Sequence, residues 1–262
     1  MGVFFEVNSI NACCLCGSKK NLTGEHKIKA SEIRGEFGSD RMMIGVDQAP
    51  EEDLRLAQGP KSKEFHFTSR MCGNCNGKLT QPADREFERF HREARAFFNS
   101  GEEPEKVFQL ARYAPGSSAY LNVFRYFAKL LCCHMADVGA PRRQLLTQFA
   151  LGQSDVNYIW LNVGEDIVFK QLSREGVAQY AAHGGLSVYG DKDTGGANGF
   201  HSTLTIGPIR YVFYSRLNFL DKWALILAHP KFHSWCRERV EAAKVEPIPH
   251  ADQVRLGLIA ED

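Results

Sequence analysis

The stretch TGEHKIKAS, residues 23–31, lies between two cysteine knuckles, ACCLC at 12–16 and MCGNCNGKL at 71–79, and the reading of that frame decides the fold. Cys13-x-x-Cys16 and Cys72-x-x-Cys75 bring four thiolates, the ligand set of a tetrahedral structural zinc ion. Cys14 is the alternative to Cys13, but only Cys13 has the two-residue spacing to Cys16 that lets two sulfurs converge from one tight turn. The eight cysteines of the chain cluster instead of spreading as a disulfide framework does, which favours reduced thiols and a metal.

Outward from this frame, Gly17 to Asn21 reads as a turn into a short hairpin, and EFHFTSRM at 64–71 alternates apolar and polar residues as a half-buried strand does. From Pro82, the residues Phe87, Phe90, Ala94 and Phe97 recur at helical spacing, with Thr80 and Asp84 near the start of the helix. Residues 35–63 carry Gly, Pro and mixed charge, and are expected to form an insertion holding one short helix around Glu51 to Ala57. The run NSGEEPE at 99–105 is the candidate linker.

Beyond the linker, residues 119–140 form a helical pattern ending at Gly139, and Pro141 opens another helix. Strand patterns follow at 156–163, 185–190 and 202–215, with a last helix from Phe219 to Ala228 or beyond. The expected class is α+β: residues 1–98 a zinc-stabilised module, and residues 106–262 a mixed helical and antiparallel-strand domain for target, partner or signal recognition. Cys132, Cys133 and His134 fall in an apolar helix at positions that point apart, so core packing is expected there. His91 reads as a residue on the polar side of its helix.

Lys plus Arg number 32 against 31 Asp plus Glu, so no chain-wide basic field announces a nucleic acid, and any such contact has to come from a local patch. The first residues lack a basic region followed by a long apolar run, and no apolar stretch reaches the roughly 18 residues of a spanning helix. The expectation is a soluble, cytoplasmic protein with no membrane contact.

The knuckle CCLC, the GEH triplet and the second knuckle CGNCNGKL together resemble the HNH endonuclease family, whose core is the treble-clef ββα-metal finger; the resemblance covers residues 11–98. It implies that Glu25 and Asn76 bind a catalytic Mg²⁺ or Mn²⁺ and that His26 is the general base. The residue types suit those roles: imidazole titrates near neutrality, and carboxylate and amide oxygens are hard ligands. Asp84 is a candidate third ligand, although an acid in a first helical turn is an ordinary feature. Lys27, Lys29, Arg70 and Lys78 flank the site as candidate phosphate contacts, alongside solvated charge as their plainer role.

The sequence departs from the family pattern in three places. Glu25 stands where many members have Asp, Lys29 holds a position often taken by Pro, and the Asn that orients the base is missing, with His66 or a backbone carbonyl left to do so. The resemblance further implies phosphodiester hydrolysis in DNA, with RNA as the other substrate, and a role in phage defence, restriction or a mobile element. One site implies a nick, so a homodimer or a partner protein is expected for a double-strand break. The alternative is a zinc-finger binding module without catalysis.

Overall fold

The computed structural model describes residues 4–9, 11–38, 42–46, 55–57, 62–174, 176, 179–191 and 193–245. The chain begins with strands β1 (Phe5–Glu6) and β2 (Leu22–His26), helix α1 (Ala30–Phe37), and strands β3 (Met42–Val46), β4 (Arg55–Ala57) and β5 (His66–Cys72). Helices α2 (Gln81–Asn99) and α3 (Ser118–Asp137) follow, then β6 (Arg142–Arg143) and α4 (Gln144–Ala150). The last part runs β7 (Trp160–Glu165), α5 (Ile167–Arg174), β8 (Tyr180–His183), β9 (Ser187–Gly190), β10 (Ala197–Ile206), β11 (Ile209–Arg216), α6 (Phe219–Ala228) and α7 (Pro230–Val245). The class is α+β, as the sequence patterns imply.

The principal sheet has strand order β4-β3-β8-β10-β11-β7, with β9 also paired to β10. All of its pairings are antiparallel except β3 with β8. Strands β10 and β11 form a hairpin in register from Ile206↔Ile209 outward, closed by Gly207 at φ +57 and Pro208. The turn needs a residue that tolerates left-handed backbone, which glycine supplies without steric cost.

Period-two alternation sends Tyr211 and Phe213 to one face of β11, where they meet Phe87 of α2 and Phe127 of α3 at ring-centroid distances between 5.1 and 5.4 Å. Phe87 also stacks flat on Tyr126, with centroids 3.9 Å apart. Phe87, Phe90 and Ala94 are wholly buried, so the helical spacing read from the sequence is the stripe that docks α2 on α3 and the sheet. Each such aromatic stabilises the fold by about 1.5–3 kcal/mol through burial alone. On the opposite face Phe169 and Leu172 of α5 pack on Tyr180 and Ala182.

Three expectations are corrected. The stretch read as an insertion supplies β3, which pairs in parallel with β8 from the far half of the chain, so it is part of the main sheet. Residues 55–57 are strand, because pairing Met42↔Ala57 to Ile44↔Arg55 overrides a weak local helical pattern; residues 51–54 lie outside the described residues. The 99–105 linker does not separate two bodies, since Pro104 within it and Val107 just beyond it are buried in a turn packed on α2, and α2 packs on α3.

Candidate metal centre and active site

The four-cysteine cluster is built by a hairpin and the turns at its two ends. Strands β2 and β5 pair antiparallel through Leu22↔Cys72, Thr23↔Met71 and Gly24↔Arg70. This places Cys72 at the end of β5 and Cys75 in the turn that leads to α2. The first knuckle lies against the same strand: the Cys14 amide donates to the Arg70 carbonyl at 2.9 Å, and the Gly17 amide closes the turn onto the Cys13 carbonyl at 2.8 Å. The Sγ atoms of Cys13, Cys16, Cys72 and Cys75 all lie within 4.8 Å of one another. A tetrahedral zinc with Zn–S near 2.3 Å has sulfur–sulfur edges of about 3.8 Å, and Cys16 and Cys72 are 3.6 Å apart.

The donor set therefore fits a structural metal ion such as zinc. The contact with Cys75 holds the Cys13 thiol down to about 4 and drives the Cys75 thiol far up, so the cluster contains a sulfur ready to lose its proton. Metal binding requires that deprotonation.

Cys14 turns the other way. Its Sγ lies 3.5 Å from Cys133 Sγ on α3, and Cys133 in turn contacts Met71 Sδ at 3.9 Å. The Cys133 contact, together with burial, pushes the Cys14 thiol well above its ordinary range. Adjacent residues with opposite orientation thus divide the work, Cys13 in the cluster and Cys14 in the core. Purified Cys13→Ser is expected to lose its zinc while Cys14→Ala keeps it in full, as metal analysis of the two proteins would show; equal loss from both would contradict the assignment.

The register of the hairpin shifts between Gly24 and His26, whose partner is His66. A bulge of this kind re-aims side chains, and here Glu25 is buried while His26 is half-buried beside it. The His26 and His66 rings sit 4.0 Å apart, centroid to centroid, tilted by 44°. Burial, and then the neighbouring His66, lower the His26 pKa below 6.5, so its imidazole is neutral at pH 7. His66, rather than an amide, is the side chain packed on the imidazole.

Asn76, directly after Cys75, donates its Nδ2 to Thr23 Oγ1 and to the Gly24 carbonyl, both at 3.1 Å. It thereby pins the start of the α2 turn to the strand that carries His26. Glu25 is directed elsewhere: its Oε1 accepts from Lys129 Nζ at 2.9 Å, and the same ammonium donates to Asp84 Oδ1 at 2.5 Å. Lys129 is 1% exposed. Burial alone would depress its pKa, but Glu25 and Asp84 together raise it above the ordinary lysine range, so it is charged. Burial pushes the Asp84 carboxyl up, and Lys129 opposes that shift.

Of the candidate phosphate contacts, Arg70 and Lys78 are exposed and Lys27 is half-buried. Lys29 is already engaged, with the Asp84 carbonyl at 3.2 Å and with Glu88 at 2.5 Å. Cys132, Cys133 and His134 are core residues, as their helical positions imply. His91 is not on a solvated face: it is 3% exposed and its Nδ1 meets the Tyr211 hydroxyl at 2.8 Å.

Lys129 is the member of the site that no motif points to, although the sequence carries a signal for it. It is a lone strong charge in the apolar run YFAKLLCC, and a buried charge demands a partner. No family model matches the chain, and no curated protein and no solved structure matches it.

Proposed function

We propose that the chain is an HNH-type endonuclease that hydrolyses phosphodiester bonds. The observation that carries this reading is the single β2/β5 hairpin, which holds a four-cysteine cluster at one end and a neutral, half-buried His26 at the other. Zinc in the cluster fixes the hairpin and the start of α2. His26 then has the protonation state to take a proton from water at neutral pH. His66 backs its ring, and Asn76 holds the strand in place from the α2 turn. Arg70, Lys78 and Lys27 supply positive charge for the phosphates beside the scissile bond.

The oxygen donors suited to Mg²⁺ or Mn²⁺ are the Glu25 carboxylate and the Asn76 carbonyl. Such an ion, when bound, offsets charge developing on the phosphate. Among the described residues, Asp84 is committed to Lys129 and is not an additional free ligand. DNA is the proposed substrate, with one site giving one nick; paired cuts then require a second copy or a partner protein. A part in phage defence, restriction or a mobile element is consistent with that chemistry.

One observation favours the rival reading of a zinc-dependent binding module without catalysis: Glu25 is already paired with Lys129. Supercoiled plasmid separates the two readings, since a single nick relaxes it. Zinc-loaded protein is expected to relax the plasmid with Mg²⁺ or Mn²⁺ and not with EDTA; intact plasmid under every condition would favour the binding module.

A further inference from the structure

The Lys129 ammonium donates to one carboxylate oxygen from β2 and one from α2, and nothing in the local architecture of the helix requires it. A lysine is an expensive way to fill an apolar helix face, because its charge has to leave water and be met by well-placed acceptors. Two carboxylates facing one ammonium also leave negative charge at the junction of β2, α2 and α3. Hard oxygen donors converging on one point, with negative charge in excess, are the environment a divalent cation takes. Glu25 is moreover one of the two residues assigned above to hold such an ion.

We infer that Lys129 is the resting occupant of a cation pocket formed by Glu25 and Asp84, and that its ammonium competes with a divalent metal ion for Glu25. Lys129 is in this sense a residue that sets metal affinity, acting through Glu25 and not on the substrate. The ammonium has a third contact in the same position, one turn back on α3. The Tyr126 ring centroid is 5.2 Å from Nζ, within the range in which an aromatic face attracts a cation. When a metal ion displaces the ammonium from Glu25, that carboxylate becomes free to ligate, and Asn76 already lies next to the Glu25 strand through its bond to Gly24.

The inference rests on the nuclease reading for its purpose, but its test does not use cleavage. Mn²⁺ binding to zinc-loaded full-length protein is measured by electron paramagnetic resonance for wild type, Lys129→Met, Lys129→Gln and the double variant Glu25→Gln/Lys129→Gln. Lys129→Gln keeps a neutral donor between the carboxylates, so the experiment retains a folded variant where methionine leaves two acids unpaired. If the lysine-filled state dominates, removing it raises apparent Mn²⁺ affinity by about tenfold or more. The Glu25→Gln/Lys129→Gln protein is expected to lose that gain.

Mn²⁺ affinity unchanged or weakened in the folded Lys129 variants overturns the inference, as does a gain that survives loss of Glu25. The two readings fail separately. Metal-dependent cutting by wild type with no gain in Mn²⁺ affinity sinks the competition and leaves the nuclease. A tenfold gain with no cutting by any of the proteins does the reverse.

Discussion

Removing the metal from the four-cysteine cluster, by chelation or by Cys75→Ser, is expected to lower the melting temperature by about 10 °C or more. Structural zinc contributes about 10–16 kcal/mol to folding in small finger peptides, comparable to the roughly 5–15 kcal/mol that stabilises whole domains. The hairpin here has other supports, so only part of that contribution is at stake. Ser69 donates its backbone amide to Asp137 at 2.6 Å and its hydroxyl to the Cys133 carbonyl at 3.1 Å, which ties β5 to α3 without metal. A loss of about 4 kcal/mol in a domain of this size already lowers the transition by about 8–16 °C.

The damage should extend past the cluster. The Thr80 amide and hydroxyl both donate to the Cys75 carbonyl, at 3.1 and 3.0 Å, so the start of α2 is built directly on a residue of the four-cysteine cluster. Thermal melts with and without bound zinc check this, and identical transitions would show that the thiols are ordinary core residues.

His26→Ala is expected to reduce cleavage by about 10² to 10⁴, the usual contribution of a general base, while leaving the melt and the zinc content close to wild type. The ring is half-buried and accepts no hydrogen bond among the described residues, so its loss costs packing against His66 and little else. The pH dependence follows from the direction of its shift. Because the folded pKa lies below 6.5, the base remains neutral as pH falls to that value, and the acid limb of activity is expected below 6.5.

His66 is one of the causes of that depression, so His66→Ala should move the acid limb upward, toward 6.5. In stability terms a depressed histidine binds protons more readily when unfolded. Its contribution is complete at neutral pH and declines as pH falls below 6.5, the ordinary value, toward the folded one. Rate profiles for the two variants over this range distinguish a base from a bystander: a His66→Ala profile superimposed on wild type would deny the coupling.

Much of this arrangement is legible in the sequence, for local reasons. Cys-x-x-Cys spacing is a property of one turn, and the Phe87, Phe90 and Ala94 stripe is a property of one helix, so both can be read from a few neighbouring residues. Strand β5 announces itself by alternation, and β11 and the second half of β10 fall in the strand pattern at 202–215, whereas residues 197–201 of β10 read as part of a glycine-rich loop. Contact between distant parts of the chain leaves no such local mark. Lys129 reaches Glu25 across more than a hundred residues, and β3 finds β8 across a longer separation still.

The inward turn of Glu25 depends on a register shift opposite β5, which the letters Gly24-Glu25-His26 do not encode by themselves. His91 departs from its expected place because it follows Phe87 by one helical turn and so shares its buried face, where both rings meet Tyr211. Cys13 and Cys14 show how far spacing carries, since the two-residue rule selects the sulfur that joins the cluster, while the partner of the other, Cys133, comes from α3, far along the chain.

The measurement that bears most directly on the central claim is relaxation of supercoiled plasmid by wild type and His26→Ala, matched for bound zinc and assayed in Mg²⁺. The expected result is relaxed circles from wild type alone, abolished by EDTA. Equal relaxation by both proteins would contradict the role of His26, and none from either would leave the hairpin as a zinc-held binding surface.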